Sequence, residues 1–156
     1  MMRAYYALGA AISPAAVWLF RLYNRLFKTV RPRVLIVTET GELLLVRNWT
    51  GNQGWELPGG GKGRHESPER AVLREIKEEL GIELSTYRLE YAGTIAADGY
   101  EAPVFKATVK ERLPITRQKW ELSAAVWRHV SSLPEELGPV ARRVFENDVQ
   151  NTRDLI

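Results

Sequence analysis

Three closely spaced glutamates, Glu75, Glu78 and Glu79, are the residues of this 156-residue chain best suited to chemistry. If the segment is helical, a rotation of about 100° per residue places all three within about a quarter of the helix surface. Like charges that close repel one another, so a purely structural helix would scatter them or pair each with a base. Carboxylate oxygens suit a hard divalent ion such as Mg²⁺ or Mn²⁺. The cluster therefore predicts a metal site.

The segment around these glutamates carries the start and stop signals of a helix. Ser67-Pro68 predicts the start, because Ser caps free backbone N–H groups and Pro is tolerated at the first helical position. Gly81 predicts the end, because Gly accepts the left-handed conformation that closes many helices. The expected helix has about 13 residues. Its apolar stripe comprises Val72, Leu73, Ile76 and Leu80, and the basic residues expected beyond that stripe are Arg70, Arg74 and Lys77.

A glycine-rich segment, Leu57-Pro58-Gly59-Gly60-Gly61, lies shortly before this helix. Glycines let the backbone turn sharply and approach a ligand closely. A loop that leads into a helix N-terminus also favours anions, because unpaired N–H groups and the helix dipole point toward it. A Walker-type phosphate loop is excluded, since no Gly-Lys-Ser/Thr follows at the required spacing. Phosphate groups with a divalent ion fit this arrangement better than the alternative of a solvated acidic helix face.

The composition limits the other kinds of site. The chain has no Cys and only two His residues, which lie far apart in the sequence, so a thiolate zinc site is excluded and a multi-His site is disfavoured. The lack of Cys also excludes a disulfide framework and is compatible with any compartment. With 156 residues and an ordinary globular composition, the chain has room for one domain with a proper core.

Residues 60–82 together fit one spaced pattern. Its fixed positions are Gly60, Glu66, Arg74-Glu75, an aliphatic Ile76, Glu78-Glu79, Gly81 and an aliphatic Ile82. At these positions the chain resembles the Nudix hydrolases, whose signature is a box with this spacing. The resemblance extends over about residues 32–150 and implies an α/β fold, a Nudix-type α/β/α sandwich with a mixed central sheet.

The resemblance implies hydrolysis of a nucleoside diphosphate linked to another moiety, with water attacking within the pyrophosphate. It implies Mg²⁺ as the cofactor, with Mn²⁺ as a substitute. The implied metal ligands are Glu75, Glu78, Glu79 and the backbone carbonyl of Gly59. The residues expected to act in catalysis, or to hold the catalytic glutamates in place, are Glu66, Arg74, Glu78, Glu79 and Glu121. Substrate contacts are expected from Gly60, Gly61, Lys62 and Tyr100.

The general base varies among the resembling enzymes between a box glutamate and a glutamate from a later loop. Glu121 lies six residues before Trp127, an offset that many relatives share. Its alternative interpretation is a surface acid at the start of a strand. Gly63 and His65 stand where relatives often carry Glu and then Gly. The missing acid leaves the number of metal ions open.

Short β-rich runs on both sides of the box helix complete the predicted domain. The predicted strands are Val34–Thr38, Leu43–Arg47, Tyr91–Ile95, Val104–Val109 and Ala124–Val130, and a last helix covers roughly Pro139 to Val149. Neither an internal repeat nor a low-complexity linker divides the sequence.

Residues 1–31 are predicted to form a basic amphipathic helical arm in front of a hydrolase domain at 32–156. No charged residue lies between Ala4 and Phe20, whereas five basic residues lie from Arg21 to Arg33. Residues 1–33 hold six of the 22 basic residues and none of the 19 acidic ones, which leaves 16 against 19 and a net charge of −3. The high pI therefore belongs to the arm, and nucleic acid is not an expected partner.

The arm itself combines a Ser13-Pro14 helix start with an apolar stripe that ends at Val30. A basic helix with Trp and Phe on its apolar face is typical of a membrane-surface anchor. Three interpretations stay open: association with the cytoplasmic face of a membrane, packing on the domain or on the second subunit of a homodimer, and a cleaved signal sequence. The expected location of the domain is the cytoplasm.

Three classes of function follow. The first is a Mg²⁺-dependent hydrolase of a nucleoside triphosphate, a nucleotide sugar or a dinucleoside polyphosphate. Relatives that cleave the last class carry a Tyr at about the position of Tyr100, for which a core role is the alternative. The second class is a non-catalytic Nudix-fold nucleotide-binding regulator, which the intact set of box glutamates disfavours. The third is a membrane-associated hydrolase of a lipid or prenyl pyrophosphate, which the arm alone suggests.

Overall fold

The computed structural model describes residues 29–49, 54–97, 99–116 and 121–147. The described strands form one sheet with the order β3-β4-β1-β2-β5. β1 is parallel to β4, and the other neighbouring strands are antiparallel, so the sheet is mixed as predicted. The elements in chain order are β1 (Arg33–Thr38), β2 (Glu42–Asn48), α1 (Pro68–Leu80), β3 (Leu89–Ala97), β4 (Tyr100–Val109), β5 (Leu122–His129), a 3-10 helix (Val130–Ser132) and α2 (Pro139–Asn147).

Alternate side chains of the central strands belong to two separate hydrophobic cores. Val34 and Ile36 of β1 lie in one buried cluster with Ile76 of α1. Leu35, between them in sequence, lies in a second buried cluster with Val140 of α2. Because a helix covers each face of the sheet, β1 and β2 are apolar along their length rather than alternating with polar residues. The two-sided burial confirms the predicted sandwich of helix, sheet and helix.

The helix α1 begins and ends where the sequence predicts. Ser67 is the N-cap, and its side chain accepts a hydrogen bond from the Arg70 backbone N–H over 3.2 Å. Gly81 closes the helix with a φ of 68°, in the left-handed region. Leu73, predicted in the apolar stripe, is only half-buried, because it lies at the outer edge of that stripe. The buried residues of α1 are Ala71, Val72, Ile76, Glu79 and Leu80.

A buried carboxylate fixes the start of α2. Glu56 is 7% exposed, and it accepts hydrogen bonds from the backbone N–H groups of Val140 and Ala141 at 3.0 and 2.6 Å. It also accepts the Leu57 N–H at 2.9 Å. The free N–H groups and the dipole of a helix N-terminus favour a carboxylate there. Gly138 leaves the necessary space, since a Cβ on Gly138 would lie 2.5 Å from Glu56 Oε2.

The strand β4 begins at Tyr100, four residues earlier than predicted, and it includes Pro103. Val30 forms a parallel bridge with Glu101, and β1 pairs with β4 in the same register further along. That register places Pro32 opposite Pro103. Pro103 has no N–H to donate toward β1, so the ladder is interrupted at this pair and continues on both sides of it.

Only residues 29–31 of the predicted N-terminal arm are described, and they lie alongside β4. The Arg31 N–H donates to the Glu101 carbonyl at 2.8 Å, and the Glu101 N–H donates to the Thr29 carbonyl at 3.1 Å. The amphipathic helix predicted for the rest of the arm lies outside the described residues. Within the described ranges, neither α1 nor α2 is long and apolar enough to cross a membrane.

We expect Glu56→Ala to lower the free energy of unfolding by about 3 kcal/mol, because buried N–H groups at the start of α2 lose their acceptor. Glu56→Gln keeps one acceptor oxygen and is expected to cost about half as much. Urea denaturation followed by circular dichroism measures both changes. Glu135→Ala removes an exposed carboxylate from the segment before α2, and this control is expected to change stability by less than about 0.5 kcal/mol. Equal stabilities of Glu56→Ala and Glu135→Ala would contradict this account of the helix start.

Candidate metal and catalytic site

Glu66 and Arg74 tie the loop before α1 to the helix. The Glu66 carboxylate accepts hydrogen bonds from Arg74 Nε and Nη2, each at 3.0 Å. It accepts a third from the Gly63 N–H at 3.0 Å, and Arg74 Nη2 also donates to the Gly61 carbonyl at 3.0 Å. The bonds from Arg74, followed by the one from Gly63, lower the pKa of Glu66 to about 2. This network fixes residues 61–66 against the body of the helix.

The same arginine also reaches two of the three clustered glutamates. Arg74 Nη1 donates to Glu75 Oε1 and to Glu78 Oε2, both at 3.0 Å. The expectation that Arg74 lies beyond the apolar stripe, away from the glutamates, is wrong. Arg74 and Glu78 are one turn apart, so their side chains meet on the helix surface. The Glu78 side chain is 55% exposed, and it lies on the solvent side of this group.

Gly60 makes room for the carboxylate of Glu75. A Cβ on Gly60 would lie 2.4 Å from Glu75 Cδ, which is well inside van der Waals contact. A side chain at this position would therefore displace the Glu75 carboxylate. Gly61 differs, because no atom lies within 4 Å of the place where its Cβ would be. The glycine-rich segment thus packs against α1 at Gly60, whereas the space next to Gly61 is free of described atoms.

Glu79 is buried, with 7% of its surface exposed. Its Oε2 atom has no hydrogen-bond partner within the described part of the chain. Burial raises the pKa of Glu79 to about 7, and the neighbouring charge of Glu75 adds to the increase. Glu121 raises the pKa further, whereas Arg33 and Arg31 lower it. A cation at Oε2 would offset the cost of burying this charge.

Glu121 joins two of the helix glutamates to form a group of three carboxylates. Glu75, Glu79 and Glu121 each contribute one oxygen, and the three oxygens lie within 4.8 Å of one another. Glu121 directly precedes β5, and its backbone carbonyl accepts the Trp49 N–H at 3.2 Å. Oxygen ligands suit Mg²⁺ and Mn²⁺. The donor set and the unpartnered Glu79 oxygen both fit the divalent ion that the sequence implies.

The other predicted positions of the glycine loop are engaged within the fold. The Gly59 carbonyl accepts a hydrogen bond from Arg33 Nη1. Lys62 Nζ donates to the backbone carbonyls of Gly63 and Glu66 at 2.9 and 3.0 Å. The Lys62 ammonium therefore stabilises the loop in this state, and the expected contacts of these residues with metal or substrate stay predictions.

Two arginines that the sequence analysis counted among the N-terminal basic residues, Arg31 and Arg33, lie within electrostatic range of Glu79. Arg33 opens β1 and is 5% exposed. The Arg31 guanidinium is half-buried and lies 5.8 Å from the ring centroid of Tyr100. Burial lowers the pKa of Arg31, and the charge of Arg33 lowers it further. The sequence did contain a sign that Arg33 is buried, because this charged residue stands directly before the apolar run of β1.

The raised pKa of Glu79 predicts that the metal-free protein loses stability as the pH rises. The folded chain keeps the Glu79 proton up to about pH 7, whereas an unperturbed Glu releases it near 4.5. The resulting loss is about 3 kcal/mol at pH 8 and absent near pH 4. Glu79→Gln removes this loss, so the variant is expected to be more stable than the wild type at pH 8 and equally stable near pH 4. Urea denaturation in EDTA at the two pH values measures the difference.

The control for this measurement is Glu78→Gln, which changes the exposed neighbour that pairs with Arg74. No gain of stability at pH 8 is expected for Glu78→Gln, because its carboxylate is already solvated. A Glu79→Gln protein that is no more stable than the wild type at pH 8 would show that burial of the ionised Glu79 carboxylate does not lower the free energy of unfolding.

Comparison with known sequences places these features in a family. Residues 28–148 match the model of the NUDIX domain. An RNA pyrophosphohydrolase from Cellvibrio japonicus is 43% identical over 54 residues, which make up 33% of this chain and 32% of that protein. The match thus spans about a third of that relative. A MutT-like protein from Streptomyces ambofaciens is 33% identical over 106 residues, 68% of this chain and 67% of that protein.

Solved structures agree with the sequence matches. The MutT NUDIX hydrolase from Burkholderia pseudomallei superposes with a TM-score of 0.64 and 31% identity, covering 76% of this chain and 95% of that one. An Ap4A hydrolase from C. elegans superposes with a TM-score of 0.66 over 80% of this chain and 98% of that one, and at 15% identity it shows the fold alone. The domain model covers most of the chain, and the chain belongs to the Nudix family of MutT-like proteins.

Proposed function

We propose that the protein hydrolyses a phosphoanhydride bond in a nucleoside diphosphate linked to another moiety, with Mg²⁺ as its metal and Mn²⁺ as a substitute. The observation that carries the proposal is the group of Glu75, Glu79 and Glu121, whose oxygens lie within 4.8 Å of one another. The names of the matched relatives, which include pyrophosphohydrolase and MutT, support the same class of reaction.

Three carboxylates would hold the ion, and each differs in exposure. Glu79 is buried and Glu75 is half-buried, whereas Glu121 is exposed. A divalent ion, when bound, polarises the phosphoryl oxygens and neutralises charge on the leaving group. We assign the general base to Glu121, because the second oxygen of this exposed carboxylate can accept a proton from the attacking water. Glu78, on the solvent side of the helix, is proposed as a further ligand.

Glu66 and Arg74 are proposed to act by positioning other groups. Arg74 bonds Glu66, Glu75, Glu78 and the Gly61 carbonyl through one planar guanidinium. A lysine offers a single point of donation and cannot make this set of bonds. Arg74 therefore holds the loop and the ligand Glu75 in a fixed relation, and Glu66 holds Arg74.

The substrate phosphates are proposed to lie along the glycine segment. Gly61 supports this placement, because the space next to it is open. The Arg31 guanidinium faces the Tyr100 ring and lies within electrostatic range of Glu75 and Glu79, so the pair offers a positive charge and an aromatic ring to a nucleotide. A nucleoside triphosphate, a nucleotide sugar and a dinucleoside polyphosphate are the substrate classes that this arrangement suits.

RNA that carries a 5′-triphosphate is a second candidate substrate. The observation that favours it is the local identity of 43% with a relative named RNA pyrophosphohydrolase. The net charge of −3 beyond residue 33 disfavours it, because an acidic surface repels the RNA backbone.

A lipid or prenyl pyrophosphate is a third candidate, and its support is the predicted N-terminal arm alone. Deletion of residues 1–28 tests it, and the deletion stops before Thr29, whose carbonyl bonds to β4. Loss of hydrolysis of a prenyl pyrophosphate in lipid vesicles, with activity on soluble nucleotides retained, would support this candidate. Unchanged solubility and unchanged activity on both kinds of substrate would remove its support.

We expect release of phosphate or pyrophosphate, dependent on Mg²⁺, from at least one class among nucleoside triphosphates, oxidised nucleotides, nucleotide sugars, dinucleoside polyphosphates and a 5′-triphosphorylated RNA. Glu79→Gln is expected to lower kcat at least about a hundredfold, because it removes a charged ligand from the cluster. Glu111→Gln, which changes an exposed carboxylate beyond the end of β4, is the control and is expected to keep full activity.

Turnover that continues in EDTA or in Glu79→Gln would contradict the proposed metal-dependent reaction. Absence of turnover on every substrate, together with nucleotide binding by the folded protein, would instead favour the nucleotide-binding regulator.

A further inference from the structure

Arg33 is a buried cation that the proposed reaction does not use. It is 5% exposed, and its Nη1 donates to the backbone carbonyl of Gly59. Its Nε has no hydrogen-bond partner in the described ranges. Burying a guanidinium costs free energy that a single neutral carbonyl only partly offsets. Because burying this charge is unfavourable for stability, we expect a role of Arg33 other than packing.

The Gly59 backbone is held tightly against the first residues of β1. Gly59 has a φ of 133°, and a Cβ there would lie 2.4 Å from the Pro32 carbonyl oxygen and 3.1 Å from Arg33 Cα. The Val34 N–H donates to the Pro58 carbonyl at 2.9 Å, which fixes the peptide just before it. Only a glycine adopts this conformation at such close range. The direction of the Gly59 carbonyl is therefore determined by β1 and by the Arg33 side chain.

Arg33 also acts on the acidic cluster, which is the group of Glu75, Glu79 and Glu121. The charge of Arg33 lowers the pKa of Glu79, against the effect of burial, so the guanidinium lies within electrostatic range of that carboxylate. The next residue along the chain, Gly60, touches the carboxylate of Glu75. Arg33 thus contacts the glycine segment and lies within electrostatic range of Glu79, while Gly60 of the same segment lies against Glu75.

We infer that Arg33 is a positioning residue, whose guanidinium fixes the Gly59 carbonyl directly before the glycine that contacts Glu75, and thereby sets the affinity of the acidic cluster for a divalent ion. The inference rests on the proposed metal-dependent function and extends it to a residue outside the signature box. A carbonyl oxygen has two lone pairs, so the bond from Arg33 leaves one lone pair for other contacts. Partners that orient the groups around an ion typically change its affinity by about 10- to 100-fold when they are removed.

A positioning role and a purely electrostatic role predict opposite changes in metal affinity. If Arg33 acts by orienting the Gly59 carbonyl, its removal weakens the binding of a divalent ion. If it acts only as a nearby positive charge, its removal strengthens that binding, because like charges repel. A role limited to folding changes the free energy of unfolding and leaves the affinity of the folded protein unchanged.

The test measures Mn²⁺ binding to the full chain by calorimetry, with no substrate present. We expect Arg33→Met to bind Mn²⁺ about 10- to 100-fold more weakly than the wild type, and Arg33→Lys, which retains a donor, to restore part of the affinity. Arg88→Met, an exposed arginine before β3, is the control and is expected to match the wild type. Unchanged or tighter binding by folded Arg33→Met would overturn the inference.

Arg33→Lys is the deciding variant if Arg33→Met does not fold, because the lysine keeps the charge and loses the planar fork. A weaker affinity for Mn²⁺ in Arg33→Lys supports the inference, and an affinity equal to or above that of the wild type overturns it. A wild-type protein that binds no Mn²⁺ would overturn this inference together with the proposed function. Wild-type binding and turnover with unchanged Arg33 variants would overturn the inference alone.

Discussion

The free energy needed to bury the Glu79 carboxylate is the constraint on which the site depends. The chain buries two glutamates to the same degree, Glu56 and Glu79, each 7% exposed. Glu56 receives three backbone N–H groups and serves as the anchor of α2. Glu79 has an oxygen without a partner among the described residues, and the nearby carboxylate of Glu75 raises its pKa further. One buried glutamate is thus satisfied by the fold, whereas the other needs a cation from outside.

The described residues around Glu79 do not supply a partner for its unpaired oxygen. Arg74 gives its hydrogen bonds to Glu66, Glu75, Glu78 and the Gly61 carbonyl, and within the described part of the chain it makes none to Glu79. Gly60 approaches Glu75 so closely that a side chain at this position would displace the carboxylate. The helix α1 therefore buries Ile76 in the core and carries, beside that apolar face, the carboxylates of Glu75 and Glu79, whose negative charge is only partly neutralised. Packing and function are coupled, because both depend on the register of α1 over the sheet.

The parts of this site that sequence predicts are those encoded locally. Ser67 and Gly81 mark the ends of α1, and the spacing of the glutamates follows from helical periodicity, so the structure reproduces these features. Glu121 was a candidate only through resemblance, because strand pairing between β2 and β5 brings it to the helix. Arg33 was counted only among the N-terminal basic residues, since its burial depends on the path of the glycine segment over β1.

Two further predictions were wrong, namely the position of Arg74 on α1 and the start of β4. Arg74 was placed beyond the apolar stripe, although its spacing of four residues from Glu78 puts both side chains on one face of the helix. The strand β4 was predicted too short, because Pro103 normally ends a strand and here faces a second proline across a parallel pair. The proline pair depends on a contact between segments that are distant in sequence, and no local pattern contains it.

The central claim is that a divalent ion binds between α1 and the residue before β5. A crystal of the protein grown with Mn²⁺, with data collected at an energy where Mn²⁺ scatters anomalously, tests this claim most directly. The account predicts an anomalous peak in contact with carboxylate oxygens of Glu75, Glu79 and Glu121. Mn²⁺ bound elsewhere, with these three carboxylates making no contact to it in a catalytically active protein, would contradict the account.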